Sequence, residues 1–374
     1  MTAKHIAAVI DLQFGSTGKG QVAGTIAHHW KPDTVATAWG PNAGHTFRHE
    51  DFEGVSRMLA SSAIAPSVNS ILIGPGSVVD LDMLTKEIED RAHRLHGKTL
   101  VIHPQAAILQ PNDAFLEKTL VRIGSTMKGT AEAAIRKMRR EEDAVAAWQG
   151  INMGRLVEAC REAQLLLYVS SFYYDEIVDR SKKLIVEGAQ GFSLGLHTDF
   201  YPRTTSRDVS TAQLFADCRL PFPGNGSWPR IHIIGVCRTF PIRVANRVVE
   251  DRTYSSGGHY PDQHEMQWGE LGRKAELTTV TQLPRRLFSF SYEQIRQAVR
   301  VCNPSHLALT FCDYLPEKSA PGFAENVETR VGRPVSFMSF GPKSSDIMRR
   351  TPLMLKPLLQ TECNYLGGVE YDGY

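Results

Sequence analysis

Seven short apolar runs alternate with helix-forming segments along this chain, and this alternation limits its fold more than any other feature. The runs are Ile6–Ile10, Ser70–Ile73, Leu100–Ile102, Leu184–Val186, Ile231–Val236, Leu307–Leu309 and Val335–Met338. Strands that are apolar throughout are covered on both faces, and strands separated by helices usually pair in parallel. We therefore predict an α/β fold with a mostly parallel central sheet flanked by helices. We expect residues 1–374 to form a single large domain.

Helical periodicity is clearest in two segments, Leu81–Leu95 and Tyr292–Val301, where apolar residues recur every three or four positions. A third segment, Ala131–Ala147, is rich in helix-forming residues and includes a basic cluster at Arg136–Arg140. We predict a helix over each of these segments. The basic cluster is either a solvated helix face or part of an anion site.

A glycine-rich loop, Gln13–Gly20, directly follows the first apolar run and contains three glycines and Lys19. Glycine lets successive N–H groups converge on an anion, and lysine and the start of a following helix add positive charge. The loop departs from the G-x-x-x-x-G-K-[ST] pattern of P-loops. By itself, it indicates either a phosphate site or a tight turn between a strand and a helix.

Further loops of small and polar residues follow other apolar runs, at the sheet edge where α/β proteins bind ligands. They are Gly40–Thr46 with Asn42 and His45, Gly124–Gly129 with Ser125 and Thr126, Glu187–Gly191 with Gln190, Thr204–Arg207, Glu276–Thr281 followed by Arg285 and Arg286, and Leu309–Asp313. The first of these loops follows a further apolar stretch, Thr34–Trp39. Each loop taken singly has an ordinary structural explanation. Together they predict a site for phosphates and carboxylates.

Charge and composition exclude several function classes. A formal net charge of +2 offers no polyelectrolyte surface, so we expect neither a nucleic-acid partner nor adhesion to a membrane. The six cysteines form no C-x-x-C pair, which argues against a disulfide framework or a zinc ribbon. No secretory or membrane-spanning segment is evident. We therefore expect a cytoplasmic protein.

The loops, in their order, resemble the motifs of the adenylosuccinate synthetase family over nearly the full length. The family's Q-W-G-D-E-G-K-G-K corresponds to Gln13–Gln21, G-G-x-N-A-G-H-T to Trp39–Thr46, G-T-T-G-R-G to Ile123–Gly129, G-A-Q-G-T-L-L to Gly188–Leu194 and S-T-G-P to Ser339–Pro342. The resemblance implies a P-loop-NTPase-like adenylosuccinate synthetase architecture. It also implies a magnesium-dependent ligase that phosphorylates O6 of a purine monophosphate and then displaces the phosphate at C6 with the amine of L-aspartate.

The resemblance also implies roles for individual residues. It implies Gly15, Thr17, Gly18, Lys19, Gly20 and Thr46 at the triphosphate, and Asp313, Gly341 and Pro342 at the donor base. It implies Ser16, Asn42, Ser125, Thr126, Gln190, Thr205 and the partner subunit's Arg140 at the purine monophosphate, so we expect a homodimer. It implies Thr278, Thr279 and Arg285 or Arg286 at aspartate. His45 would act as general acid, with Lys19, Gln190 and Ser16 also in the catalytic group, and Ser16 and the Gly44 carbonyl would contact Mg²⁺.

Ser16 departs from the family, which has an aspartate at this position as magnesium ligand and as base for the N1 proton of inosine monophosphate. A serine hydroxyl is not ionised near neutral pH without activation. It does leave room for the exocyclic amine of guanine and can accept a hydrogen bond from it. This pattern is similar to that of the phage 2-aminoadenylosuccinate synthases, which act on dGMP. Two alternatives are an ordinary adenylosuccinate synthetase that uses IMP and GTP, and a non-catalytic nucleotide-binding paralogue.

Two other loops depart from the family. The family's T-K-L-D at the donor base is replaced by Thr310–Asp313, in which the lysine gives way to an aromatic residue. We therefore expect ATP or dATP as donor, although Asp313 is also compatible with GTP. In the aspartate loop, Gln282–Pro284 interrupts the run of arginines, which leaves open whether Arg285 or Arg286 binds the substrate carboxylates. The replacement for the missing base is also open among Gln190, a metal-bound water and no dedicated base.

Overall fold

The computed structural model describes residues 4–120, 127–222, 229–249, 252–278 and 282–350, and it is built around one ten-stranded sheet. The strands are β1 (His5–Asp11), β2 (Thr34–Thr37), β3 (Ser70–Ile73), β4 (Thr99–Ile102), β5 (Leu166–Val169), β6 (Lys183–Glu187), β7 (Arg230–Arg238), β8 (His306–Thr310), β9 (Val335–Ser339) and β10 (Ile347–Arg349). Their spatial order is β10-β9-β8-β7-β1-β6-β2-β3-β4-β5. Every neighbouring pair is parallel except β9 with β10. The prediction of a mostly parallel α/β sheet is confirmed.

Strand β1 lies in the middle of the sheet and is buried along its whole length. Ile6 pairs with Leu184 of β6 on one side and with Ile231 of β7 on the other. Successive side chains of a strand point to opposite faces, so Ala7 and Val9 join one hydrophobic cluster while Ile6, Ala8 and Ile10 join another. The two clusters explain why the predicted strands are apolar at nearly every position.

Ten helices in the described residues connect and cover the strands. They are α1 (Lys19–Trp30), α2 (Leu81–Asp90), α3 (Ala92–Leu95), α4 (Pro111–Leu120), α5 (Thr130–Met138), α6 (Gly154–Glu162), α7 (Ser171–Arg180), α8 (Thr211–Asp217), α9 (Tyr292–Cys302) and α10 (Ala320–Val331). Helices α1, α2 and α6 contribute to the first cluster, and α7 to α10 contribute to the second. Short polar caps start several helices: the Ser291 hydroxyl, for example, accepts the Gln294 N–H at 2.9 Å at the start of α9.

Short strand pairs outside the sheet complete the described structure. His45–His49 pairs with Phe52–Ser56, Val78–Val79 with Ala107–Ile108, Arg247–Val249 with Arg252–Tyr254, and Arg286–Phe288 with both Ile242–Arg243 and Glu265–Met266. The five cysteines in the described ranges are all buried and free. None of the helices in these ranges has the length and apolar character that a membrane crossing requires.

Two of the three predicted helices are shorter than expected. The segment 81–95 divides at Arg91, whose guanidinium turns away to bond the Val55 carbonyl at 2.7 Å. The segment 131–147 is helical only to Met138, because Arg140 adopts a left-handed backbone conformation with φ of 64°. The third, α9, ends one residue beyond the predicted range.

Strand β2 lies within the apolar stretch Thr34–Trp39, whereas β5 and β10 correspond to none of the predicted runs. Strand β2 carries threonine at both ends, and β5 and β10 are the edge strands of the sheet. Edge strands are partly solvated, so their sequences need not be apolar throughout. The runs therefore identify the centre of the sheet better than its margins.

A buried histidine on β8 should make stability depend on pH. Burial lowers the pKa of His306 to about 4, against about 6.5 for an exposed histidine. The fold favours the neutral ring, so this contribution is complete above pH 6.5 and is lost as the pH falls from 6.5 toward 4. The unfolding free energy of the wild-type protein, measured by urea titration, should fall between pH 7 and pH 5. In His306→Asn we expect this fall to be smaller by about 2 kcal/mol. His93→Asn, at an exposed position of α3, should leave the pH dependence unchanged, and equal behaviour of both variants would contradict the assignment.

Candidate functional site

A cavity of about 1390 Å³ opens along the carboxyl ends of the central strands. Its walls include the loops that follow β1, β2, β6, β8 and β9. This is the edge at which open α/β sheets bind their ligands. The cavity therefore lies at the edge of the sheet where the sequence predicts the site.

The cavity is strongly basic. Ten lysine and arginine residues but only three acidic residues, Glu117, Glu276 and Asp313, are among the described residues that line it. Such an excess of positive charge suits several anionic groups bound close together. A triphosphate, a monophosphate and a dicarboxylate are ligands of this kind.

The first loop is held by the buried carboxylate of Asp11, the last residue of β1. Its Oδ1 accepts the N–H groups of Gln13 at 2.9 Å and Gly15 at 3.2 Å. Its Oδ2 accepts the Thr17 hydroxyl at 2.6 Å and lies 3.7 Å from Nζ of Lys19. One carboxylate thus fixes both the backbone of the loop and its cation.

The loop backbone is left-handed at three positions, Gly15 with φ of 87°, Ser16 with φ of 54° and Gly18 with φ of 80°. A serine in this region is unusual and requires outside support. Arg238, the last residue of β7, supplies it by donating from Nη1 to the Ser16 carbonyl at 3.1 Å. On the other side, Thr310 Oγ1 donates to the Thr17 carbonyl at 2.7 Å. Ser16 is exposed on the cavity wall.

His45 and Glu187 form a buried pair beside this loop. His45 Nδ1 lies 2.9 Å from Glu187 Oε1, and the edge of the Trp39 indole packs against the imidazole with ring centroids 4.1 Å apart. Oε2 of Glu187 accepts the Ser62 hydroxyl at 3.3 Å. Because Nδ1 is occupied by the carboxylate, Nε2 is the ring nitrogen that remains for a ligand.

Burial controls the protonation of this pair. Burial and the neighbouring Lys19 lower the pKa of His45 well below its ordinary value. Burial raises the pKa of Glu187 to about 7, although the hydrogen bond from the Ser62 amide and the Lys19 charge each act to lower it. Moving one proton along the Nδ1–Oε1 hydrogen bond interconverts the neutral pair and the ion pair. The site can therefore hold a transferable proton near neutral pH.

Arg238 also organises the opposite wall. Its side chain is fully buried, forms an ion pair with Glu276 at 2.5 Å, and places its guanidinium carbon 3.7 Å from the centre of the Phe311 ring. The Tyr314 hydroxyl donates to the same Glu276 oxygen at 3.1 Å. This cluster links the first loop to the segment around Thr278 and to the loop after β8.

The segments predicted to hold the donor base and aspartate, around Asp313 and Thr278, also line the cavity. Asp313 pairs with Arg273 at 3.2 Å. The hydroxyl of Thr278 accepts the Leu283 N–H at 3.1 Å, and Arg285 donates from its backbone N–H to the Glu276 carbonyl at 2.8 Å. Burial lowers the pKa of Arg285, an arginine that gains from an anionic ligand.

The structure brings most of the predicted residues together. Those that line the cavity are Gly15, Ser16, Thr17, Gly18, Lys19, Gly20, Asn42, Gly44, His45, Thr46, Gln190, Thr205, Thr278, Arg285, Asp313, Gly341 and Pro342. Arg140 and Arg286 are not among the lining residues. Ser125, Thr126 and Thr279 lie outside the described residues.

The two arginines outside the cavity have different surroundings. Arg286 forms an ion pair with Glu265 at 2.6 Å and donates from Nη1 to the Ser256 hydroxyl at 3.1 Å and to the Gly257 carbonyl at 2.6 Å. Its guanidinium is therefore engaged by these groups. Of the two alternatives, Arg285 is the one that lines the cavity. Arg140 is exposed at the end of α5, the kind of position from which a side chain can reach another subunit.

Sequence reasoning missed Asp11, Arg238 and Arg273 as functional residues and gave no role to Glu187 and Glu276. A signal for three of them was present, since Asp11, Glu187 and Arg238 are charged residues that directly end apolar strands. Buried charges of this kind are rare and need partners. Such residues are good candidates for the support of a site.

The oxygen donors of the cavity bear on metal binding. No group of three or more His, Cys, Asp or Glu in the described ranges is placed to hold a metal ion. The exposed Ser16 and Gly44 offer a hydroxyl and a carbonyl oxygen to the cavity. This donor set fits Mg²⁺, which commonly takes one or two protein ligands and completes its coordination with substrate phosphates and water.

The close contact of the first loop with Gly191 gives a direct test of the site's packing. A Cβ at Gly191 would collide with the backbone of Gly15 and Gln13 and lie 2.7 Å from the Phe14 carbonyl carbon. We expect Gly191→Ala to lower the free energy of unfolding in urea by about 1–3 kcal/mol, because backbone cannot move aside as a side chain can. In Gly322→Ala, on α10, the new Cβ meets nothing within 4 Å, so this control should be neutral or stabilising. A Gly191 variant as stable as the control would contradict the packing described.

Comparison with known proteins identifies the family of this chain. The family model described as adenylosuccinate synthetase matches residues 8–162 and 152–320. An N6-succino-2-amino-2'-deoxyadenylate synthase of Salmonella phage PMBT28 is 40% identical over 361 residues, which is 92% of this chain and 97% of the relative.

Solved structures give the same result. The succinoaminodeoxyadenylate synthetase (PurZ) of cyanophage S-2L, bound to dGMP and dATP as an energy donor, is similar with a TM-score of 0.81 and 34% identity, covering 96% of this chain and 99% of that one. The fully ligated adenylosuccinate synthetase of Plasmodium falciparum has the same fold, with a TM-score of 0.71 at 16% identity over 92% of this chain and 99% of that one. The protein therefore belongs to the adenylosuccinate synthetase family.

Proposed function

We propose that this protein is a carbon–nitrogen ligase that joins L-aspartate to C6 of dGMP at the expense of ATP or dATP, giving 2-amino-2'-deoxyadenylosuccinate. The observation that carries the choice of dGMP is Ser16, an exposed and uncharged side chain on the wall of the basic cavity. Its hydroxyl leaves space for the 2-amino group of guanine and can accept a hydrogen bond from it. The names of the phage and cyanophage relatives support the same substrate.

The reaction we propose has two steps. In the first, O6 of dGMP takes the γ-phosphoryl group as the Pγ–O bond of the donor breaks, ADP or dADP leaves and the N1 proton is lost. This step converts a poor leaving group into a good one. The α-amine of aspartate then attacks C6, the C6–O6 bond breaks and inorganic phosphate leaves. Positioning and charge stabilisation supply most of the catalysis in such phosphoryl transfers, and the basic cavity provides both.

The triphosphate would lie against the first loop and the start of α1. Lys19, fixed by Asp11, would contact its phosphates together with the backbone of Gly15–Gly20, and Thr46 would approach from the second loop. The first N–H groups of a helix have no acceptor within the helix, which makes this end an anion site. Ser16 and the Gly44 carbonyl would hold Mg²⁺ together with phosphate oxygens, and the ion, when bound, neutralises charge on the transferred phosphoryl group.

His45 would serve as the general acid beside O6. Glu187 holds Nδ1 of its ring, so that Nε2 can donate to the oxygen that becomes phosphorylated and later leaves. Gln190, which also lines the cavity, would contact the base near O6. In this arrangement Glu187 orients the imidazole and supplies the proton that His45 needs to act as an acid.

Three further groups of residues would hold the remaining parts of the substrates. Asn42, Ser125, Thr126 and Thr205 would bind the 5'-phosphate of dGMP, joined by the partner subunit's Arg140 in a homodimer. Thr278, Thr279 and Arg285 would bind the carboxylates of aspartate. Gly341, Pro342 and Asp313 would surround the donor base. The Arg273–Asp313 pair offers a donor and an acceptor side by side, which suits N1 and the 6-amino group of adenine.

The substrate assignment can be tested with the purified protein. We expect phosphate release that requires dGMP, aspartate and ATP together, with formation of the succinyl nucleotide detected by chromatography. Turnover of IMP should be much slower than that of dGMP under the same conditions. Faster turnover of IMP would indicate an ordinary adenylosuccinate synthetase, and nucleotide binding without aspartate-dependent phosphate release would indicate a non-catalytic protein.

Ser16→Asp should change the substrate preference. The carboxylate would crowd the C2 side of guanine and supply a base for hypoxanthine, so we expect kcat/KM for dGMP to fall at least tenfold while that for IMP stays equal or rises. Ser16→Ala is the matched control: it removes the hydrogen bond but keeps the space, and it should keep dGMP as the preferred substrate. An unchanged ratio of dGMP to IMP turnover in Ser16→Asp would remove Ser16 as the determinant.

A further inference from the structure

The cavity contains a carboxylate in the aspartate segment to which the preceding description gives no ligand. Of the three acidic residues that line the cavity, Asp313 pairs with Arg273 at the donor-base end, and Glu117 accepts the N–H of Gly129. The third, Glu276, precedes Thr278 by two residues. Its side chain retains 27% of its exposure although its partner Arg238 is completely buried.

The position of Glu276 is fixed relative to Ser16. Nη1 of Arg238 donates to the Ser16 carbonyl at 3.1 Å and to Glu276 Oε2 at 3.3 Å, so one guanidinium nitrogen holds both groups. The backbone of Glu276 accepts the N–H of Arg285 at 2.8 Å. The carboxylate therefore lies where the aspartate segment meets the residue that faces the purine.

One carboxylate oxygen of Glu276 accepts fewer hydrogen bonds than it can. Oε1 accepts from Arg238 Nη2 at 2.5 Å and from the Tyr314 hydroxyl at 3.1 Å. Oε2 has one long contact, with Nη1, whereas a carboxylate oxygen can accept two hydrogen bonds. Burial would raise the pKa of Glu276, but the Arg238 charge and the hydrogen bonds from Arg238 and Tyr314 bring it below the ordinary value. The group is therefore an anion at neutral pH.

Aspartate carries two carboxylates and one ammonium group, and these need partners of opposite charge. Thr278 and Arg285 suit the carboxylates. An ammonium group in a cavity with ten basic residues is repelled unless an anion lies next to it. Ser16 carries no charge, so it cannot supply that anion on the purine side.

We propose that Glu276 binds the α-ammonium group of aspartate through Oε2. After the ammonium has lost one proton to solvent, the same contact directs the lone pair of the neutral amine toward C6 of the purine. This inference rests on the proposed function and adds to it a binding residue for the amino group. Arg238 and Tyr314 then act as positioning residues, because they hold the carboxylate in the orientation that leaves Oε2 available.

The test compares aspartate with succinate, which has both carboxylates but no ammonium group. In Glu276→Gln we expect KM for aspartate to rise about 10- to 100-fold, the loss typical of a charge-assisted hydrogen bond. The inhibition constant of succinate and the KM values for dGMP and ATP should change less than about threefold. Glu265→Gln is the matched control, since Glu265 forms an ion pair with Arg286 outside the cavity, and it should leave all these constants unchanged.

A second variant addresses folding, because Glu276→Gln leaves the buried Arg238 without a countercharge. Glu276→Asp keeps the charge on a shorter side chain, and we expect it to raise KM for aspartate several-fold with succinate inhibition unchanged. Parallel weakening of aspartate and succinate in the folded variants, or no weakening of either, would overturn the inference alone. A wild-type protein that forms no product from dGMP, aspartate and ATP would overturn the proposed function and this inference with it.

Discussion

The carboxylate of Asp11 is the interaction on which the rest of the site depends. It ends the central strand β1 and accepts hydrogen bonds from three loop amides, those of Gln13, Gly15 and Thr17, and from the Thr17 hydroxyl, and it pairs with the Lys19 ammonium. The neighbouring strands end in the same way, β6 at Glu187 and β7 at Arg238. Three adjacent strands thus deliver three buried charges to one edge of the sheet, and each charge holds a different wall of the cavity.

Buried charges are costly unless they are paired and hydrogen-bonded, and these are. Their fixed partners mean that the loops are oriented before any ligand arrives, because a change in loop conformation would expose an unpaired charge. A ligand phosphate therefore meets donors that need little rearrangement, which is the arrangement that stabilises charge most effectively during a reaction. Burial of the apolar side chains on both faces of the central strands offsets the energetic cost of placing these charges in the core. Apart from the charged residues at their ends, these strands are almost entirely apolar.

The sequence predicts the centre of the fold and the position of the site better than the contacts within it. Apolar segments identify eight of the ten sheet strands, and the loops of small and polar residues at their ends identify most of the cavity. The contacts that support the loops are harder to predict from the sequence, because they join residues far apart in the chain. The Gln13 side chain, for example, forms hydrogen bonds with the backbone of Arg238, 225 positions away. The sequence also does not distinguish between the neighbouring residues Arg285 and Arg286. In the structure, Arg285 lines the cavity, whereas Arg286 begins a strand and is not a lining residue.

The geometry around Ser16 separates substrate choice from the stability of the site. Its left-handed backbone is held through its carbonyl by Arg238, and its side chain takes no part in that contact. The carboxylates of Glu276 and Asp313 have arginine partners of their own. A substitution at this position can therefore alter the shape and hydrogen-bonding pattern offered to the purine while the loop, its lysine and the surrounding ion pairs stay in place. Under the proposed function, the side chain of Ser16 alone would then decide which purine binds, while Glu276 would be the carboxylate that accompanies the amine of aspartate.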